Sequence, residues 1–269
     1  MFGAVIARLR DWQRRRVLAR HAIAEADWQR TLDALPMLDR LDADELARLR
    51  ERVTLFLHHK HFIGAQGLAV SAEMALLIAA QACLPILNLD IDDYRGWRSI
   101  VVYPRAFVVE LDEADEAGVV HQQWQERAGE AWEQGAVILS WEDICADLEH
   151  GGYSVVIHEL AHKLDMQSGG PNGFPPLHAD MPVREWTAAM QGAFDALNAA
   201  LERGDDTAID PYAAEEPGEF FAVVSEHFFL DPALLHGAFP QVYSQLARYY
   251  RQDPLRRPPS PSPPRGSAR

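Results

Sequence analysis

The chain has 269 residues, 48% of them hydrophobic and 24% charged, with a formal net charge of −15. This is ordinary globular material, enough for one large domain or two small ones. Its acidity argues against a general nucleic-acid binder, whose surface is basic. Cys83 and Cys145 both sit in apolar runs and read as buried free thiols, which favours a reducing cytoplasm. No secretory signal and no apolar run of membrane-spanning length is visible.

Residues 1–27 carry Arg8, Arg10, Arg14, Arg15, Arg16 and Arg20. They predict a basic amphipathic helix, read as a solvated, loosely attached arm with no stable membrane association. Helices follow over Trp28–Leu35 and Asp42–His59. Asp42 with Glu45 three residues on is a capping-box pattern, and Leu46, Leu49, Val53 and Leu57 mark the core face. The cluster His58, His59, Lys60 and His61 lacks acidic or cysteine partners, so it reads as a helix C-terminus that favours cations. Ser71–Leu84 is an apolar helix stopped by Pro85.

The period then changes. Ser99–Tyr103, Phe107–Leu111 and Ala136–Ser140 are β-branched and aromatic runs, with a fourth strand through Val119–Trp124. They predict a small sheet ahead of a short helix, Ser140–Leu148. After a Gly/Pro/Asn-rich loop, Gly169–Pro182, come helices over Val183–Leu201, Pro217–Phe229, Pro232–Leu235 and Pro240–Tyr250. From Pro254 the composition turns to Pro, Ser and Arg, and residues 258–269 are expected to form a disordered tail. The domain expectation is an arm at 1–27, a single α+β, mostly helical domain at 28–257, and that tail.

The chain is organised around Val155-Val156-Ile157-His158-Glu159-Leu160-Ala161-His162-Lys163-Leu164-Asp165, which contains His-Glu-x-x-His. Ile157, Leu160, Ala161 and Leu164 have helical spacing, and glycines punctuate both ends. On a helix, His158 and His162 project from one face and can grip one zinc ion, and Glu159 can reach a water bound to it. A structural helix with two bonded histidines is the alternative reading. It would leave imidazoles among apolar neighbours, where an unpaired ring is costly.

A catalytic zinc keeps three protein ligands and one open position. Asp165, one turn past His162, suits support of a histidine N–H better than ligation. His178 could reach from its loop. Glu219 and Glu226, seven apart and so on one helix face, are acidic residues in a run of Phe, Ala and Val, where isolated buried carboxylates are expensive.

His158-Glu159-Leu160-Ala161-His162-Lys163-Leu164-Asp165, followed by Tyr212-Ala213-Ala214-Glu215-Glu216-Pro217-Gly218-Glu219-Phe220-Phe221-Ala222-Val223-Val224-Ser225-Glu226, resembles the Mlc titration factor A family. Gln81–Leu87, Val101–Pro104 and Gln252–Leu255 also resemble its stretches, so the similarity runs over residues 28–257; the arm and tail match nothing in it. The resemblance implies a zincin-like, anthrax-lethal-factor-like metallopeptidase fold of gluzincin type. It implies one zinc per chain held by His158, His162 and Glu219, with Glu159 as general base and Tyr212 as donor to the oxyanion. It further implies aminopeptidase action on small peptides and binding to the glucose-responsive repressor Mlc. A strand such as Val119–Trp124 or Ala136–Ser140 is the place for substrate to pair by β-augmentation. The competing class is a non-catalytic protein that sequesters the repressor, its zinc structural or vestigial.

Overall fold

The computed structural model describes residues 2–114, 120–127, 129–131 and 135–257; at 2–7 and 107–131 only the course of the backbone is described. Ten helices and six strands follow in chain order among these residues: α1 (Phe2–Arg20), α2 (Glu25–Ala34), α3 (Ala43–His59), β1 (His61–Gly64), α4 (Ala72–Cys83), β2 (Ser99–Tyr103), β3 (Phe107–Ala114) and β4 (Val120–Arg127). The second half holds β5 (Gly129–Ala131), β6 (Val137–Ser140), α5 (Trp141–His150), α6 (Val155–Asp165), α7 (Val183–Glu202), α8 (Pro217–Leu230), α9 (Pro232–Ala238) and α10 (Pro240–Tyr250). The fold is α+β and mostly helical, with a small sheet before the His-Glu-x-x-His helix.

Local chemistry sets several of these boundaries. The Asp42 carboxylate accepts from the Glu45 N–H at 2.8 Å while the Asp42 N–H donates back to Glu45 at 3.1 Å, a reciprocal cap worth about 1 kcal/mol. Leu49, Val53 and Phe56 of α3 are fully buried, with Leu46 and Leu57 packed beside them. Ser71 caps α4, which is buried from Leu76 to Cys83 and ends ahead of Pro85. A proline begins each of α8, α9 and α10, where the missing N–H costs nothing.

The sheet differs from the expected one in membership. Its order is β1-β2-β6-β5: β1, β2 and β6 run parallel, and β5 is antiparallel to β6. β1 begins at His61, directly after the Lys60 C-cap of α3. This strand was masked by the run of histidines, which does close the helix as expected. Phe107–Ala114 leaves the sheet and, among the described residues, pairs only with Val120–Arg127, as an antiparallel ribbon in the register Phe107↔Arg127 to Ala114↔Val120. Val119, the first residue of the strand expected there, lies outside the described residues. β6 is bonded on both sides, by β2 and β5, so it has no edge for a peptide to join. Within β2, Ile100 and Val102 are fully buried and their neighbours half-buried, the alternation of a sheet with one face on the core.

The N-terminal helix is attached, unlike the solvated arm expected for it. Val17, Leu18 and Ile23 pack on the core, and Arg14 makes a two-pronged contact to Asp90 (3.0 and 2.5 Å). Arg10 reaches Asp92 at 3.3 Å, and the His21 and His58 rings meet at 4.8 Å between centroids. Val17 and Leu18, near the end of α1, thus pack inward where the helix meets α3, with Leu9 and Trp12 left exposed, while Arg10 and Arg14 find the acidic turn at 90–92. At the other end, Pro254–Arg256 form a short 3₁₀ turn. Arg257 is held by Glu45 at 2.9 Å and Gln252 at 2.7 Å, so order persists beyond Pro254. The tail at 258–269 lies outside the described residues. Both thiols are free; Cys83 is buried as expected, whereas Cys145 is half-buried.

α6 runs through the middle of the molecule. It packs on α4, α5 and α8 and lies against β5 and β6, with Val156, Ile157, Leu160, Ala161 and Leu164 fully buried.

Candidate metal centre

The start of α6 is tied down by four side chains. The Ser154 hydroxyl accepts from the Ile157 N–H at 3.2 Å and donates to the buried Gln81 amide oxygen at 2.9 Å. The Val155 N–H donates to Asp147, and the Ser154 N–H donates to Glu226, both at 2.8 Å. Orphan amides at a helix start are thereby satisfied inside the protein, and the helix cannot rotate without breaking them.

From that fixed helix His158 and His162 project one turn apart, rings tilted 77° with centroids 4.8 Å apart. Their Nε2 atoms lie 3.2 Å from each other. Glu219, in the first turn of α8, brings Oε2 to 3.0 Å from His158 Nε2 and 3.4 Å from His162 Nε2. A metal 2.0–2.1 Å from tetrahedrally placed nitrogen and oxygen donors keeps those donors about 3.3–3.4 Å apart. The triangle of 3.0, 3.2 and 3.4 Å has that size, and its three atoms come from imidazole and carboxylate donors, the set such a metal uses. Among the described residues these three are the one group of His, Cys, Asp or Glu able to hold a metal.

Seven residues after Glu219, on the same face of α8, Glu226 presents Oε1 to His158 Nδ1 at 2.8 Å. The ring is therefore gripped at both nitrogens by one helix. Burial works against an imidazolium at His158, but hydrogen bonds to Glu219 and Glu226 outweigh it and raise the pKa well above the usual value. Glu219 shows the converse: burial favours its acid form, yet the two histidines hold it far below the usual carboxylate range. The cluster is built around positive charge.

The other candidates fall elsewhere. His178 donates from Nε2 to the Tyr249 carbonyl (2.8 Å) and stacks on the Tyr249 ring, away from the triangle. Asp165 is fully buried and accepts from the Gly173 N–H at 2.7 Å, anchoring the loop after α6. Its pKa is pushed up to about 6 by burial, against the pull of the Gly173 N–H and of His162. That loop in turn braces Glu219. A Cβ on Gly218 would lie 2.7 Å from the Pro171 carbonyl oxygen, and one on Gly173 2.6 Å from that of Pro217. Backbone meets backbone at both points, which only glycine allows.

Glu159 is buried beside His158. Burial pushes the Lys163 ammonium down to about 8, partly offset by the charge of Glu159. Tyr212 stands at the mouth, 38% exposed, its ring 6.1 Å from that of His158. Asp210 positions it, accepting from the Tyr212 N–H at 2.8 Å and from the Tyr153 hydroxyl at 3.2 Å. Asp147, Ser154, Gln81 and Asp210 escaped the sequence reading. Ser154 and Asp210 carried a signal, since each is a capping residue directly before a helical turn.

A His-Glu-x-x-His helix facing a carboxylate from a later helix, on a mostly helical α+β scaffold, has the frame of a metallopeptidase. The sequence model of the glucose-regulated metallo-peptidases M90 matches residues 9–251, and the chain belongs to that family. It is similar to the proteins named Mlc titration factor A in Yersinia pestis (strain Pestoides F) and Yersinia pseudotuberculosis (serotype O:1b, strain IP 31758). Each is 39% identical over 235 residues, covering 86% of this chain and 86% of the relative. The family match begins inside α1, so the resemblance reaches further into the arm than the motifs alone implied. Membership in a metallopeptidase family implies a metal, and the donor triangle is of a size and chemistry to accept one.

Proposed function

We propose that the protein is a zinc-dependent peptidase, with one Zn²⁺ held by His158, His162 and Glu219. The observation that carries this reading is the donor triangle of 3.0, 3.2 and 3.4 Å. Bound there, the ion supplies a Lewis acid and lowers the pKa of a water to about 7. Glu159 takes the proton of the attacking water and passes it to the leaving amine. The Tyr212 hydroxyl donates to the developing oxyanion, a role worth roughly 3 kcal/mol. Glu226 fixes the His158 tautomer, so that Nδ1 carries the proton and Nε2 presents its lone pair. Substrate is a short peptide cleaved from its amino end. Its backbone runs along β5, the outer strand of the sheet beside α6.

The name of the relatives, Mlc titration factor A, supports a second, compatible role, binding of Mlc, and the two free cysteines suit the reducing cytoplasm as its place. Glu159→Gln separates the two. The variant should keep zinc by metal analysis and lose turnover of aminoacyl chromogenic substrates; repressor capture that survives in it would show sequestration independent of catalysis. Full turnover in Glu159→Gln, or in chelator-treated protein, would return the zinc to a structural role.

A further inference from the structure

Away from the metal centre, the junction of α3 and β1 meets the turn at 91–98 around a cavity of about 470 Å³, within the range of small-molecule sites. His58, His59, His61, Arg95 and Arg98 line it, and Asp92 is the one acidic residue in its wall. That carboxylate is already matched, by Arg10 and Arg14 at 3.3 Å each. Arg95 and Arg98 are exposed and make no ion pair among the described residues. A concave, basic lining is anomalous on a chain of net charge −15. The helix C-terminus of α3 explains His58 and His59, but not the two arginines contributed by a different segment.

The wall behind them also holds a buried ammonium and a buried indole. Lys60 is buried; its ammonium donates to the Tyr94 and Trp97 carbonyls at 2.6 and 2.9 Å and lies 3.3 Å from the centre of the Trp97 ring. The two carbonyls and the ring face between them occupy the three N–H groups of the ammonium. Trp97, also buried, has an indole N–H with no hydrogen-bond partner among the described residues. Burial, then Lys163 and Arg98, pushes the Lys60 ammonium down to about 7. Burial, then His58 and Lys60, lowers His59 as well. That leaves Arg95 and Arg98 as the cavity's cations with no ion-pair partner among the described residues. Gly96, exposed and at φ +96°, closes the turn between the two arginines.

We infer that this cavity binds a small soluble phosphate-bearing anion, held by Arg95 and Arg98 with the histidines of the α3–β1 junction. Paired guanidinium groups match phosphate oxygens by forked hydrogen bonds, and the concave shape selects a small ligand over a flat surface.

Calorimetric titration of the full chain with inorganic pyrophosphate and with ADP, at low and moderate salt, tests this. Binding is expected, and Arg95→Ala/Arg98→Ala should weaken it roughly tenfold or more, since each lost charge-assisted bond matters. Both side chains are exposed, so the variant should keep its thermal midpoint. Arg15→Ala/Arg16→Ala removes the same charge from the exposed side of α1 and should leave binding unchanged. Failure of both ligands to bind more tightly than about 1 mM would overturn the inference. So would equal weakening by the two double variants, which would indicate diffuse electrostatic attraction. Binding to phosphatidylglycerol vesicles without binding to pyrophosphate or ADP would replace the soluble ligand with a lipid headgroup and overturn it too.

Discussion

Glu226 stands behind His158: Oε1 lies 2.8 Å from Nδ1, while Oε2 accepts from the Ser154 N–H at 2.8 Å. One carboxylate thus orients a ring and pins the start of the helix that carries it. Partners of this kind set the tautomer and basicity of a ligating histidine. Glu226→Ala should lower metal affinity roughly 10–100-fold, and Glu226→Gln, which keeps an acceptor, should lower it less. Competition with a zinc-binding dye measures both. Equal affinity in Glu226→Ala and wild type would reduce Glu226 to packing.

Glu219→Ala removes one corner of the triangle. It should cost the protein its metal, whereas His178→Ala, at a ring bonded to the Tyr249 carbonyl, should retain it. Metal content of the two purified variants decides the point, and greater loss in His178→Ala would refute the assignment.

Gly218 and Gly173 let the loop after α6 touch the first turn of α8 backbone to backbone. In Gly218→Ala the new methyl meets the Pro171 carbonyl oxygen at 2.7 Å, and Glu219 is the next residue. Overpacking of this kind costs about 1–3 kcal/mol. Metal affinity should fall together with the thermal midpoint. A lowered midpoint with unaltered affinity would show that the loop does not position Glu219.

Asp147 is pushed up to about 6, chiefly by burial and further by Glu226, while the Val155 N–H pulls the other way. Its folded pKa thus exceeds the unfolded one, so the folded form binds more protons and stability falls as pH rises between the two values. Asp147→Asn can still accept from Val155 and carries no charge. Its midpoint, measured with chelator present, should match wild type near about pH 4 and exceed it above about pH 6. A constant offset across that window would mean that Asp147 contributes no linkage there.

Removing residues 1–27 should lower the thermal midpoint. Val17, Leu18 and Ile23 lose their seats and the half-buried Arg14–Asp90 pair is broken. Burial on this scale is worth a few kcal/mol, at about 2–4 °C each in a chain of this size. An unchanged melting curve for a chain beginning at Trp28 would restore the free arm.

Much of this protein is legible in its sequence because the signals are local. The Asp42–Glu45 capping box, the prolines that open α8, α9 and α10, and the i,i+4 spacing of His158 and His162 act within one or two turns, where chain geometry leaves little choice. The spacing of Glu219 and Glu226 likewise places both on one face of α8. Which atoms those carboxylates meet is a different matter. That Glu219 reaches Nε2 and Glu226 reaches Nδ1 of one ring depends on how α8 crosses α6, and that crossing rests on contacts such as Pro171 against Gly218. The membership of the sheet was equally non-local: four residues, His61–Gly64, become a strand only because β2 lies beside them, and Phe107–Ala114 leaves because Val120–Arg127 offers it a longer partner. The basic helix reads the same whether free or docked, because its arginines suit water as well as Asp90. Sequence determined the elements and the chemistry they carry; tertiary structure alone decided their partners, since pairing energies between distant segments are set by packing that no single segment encodes.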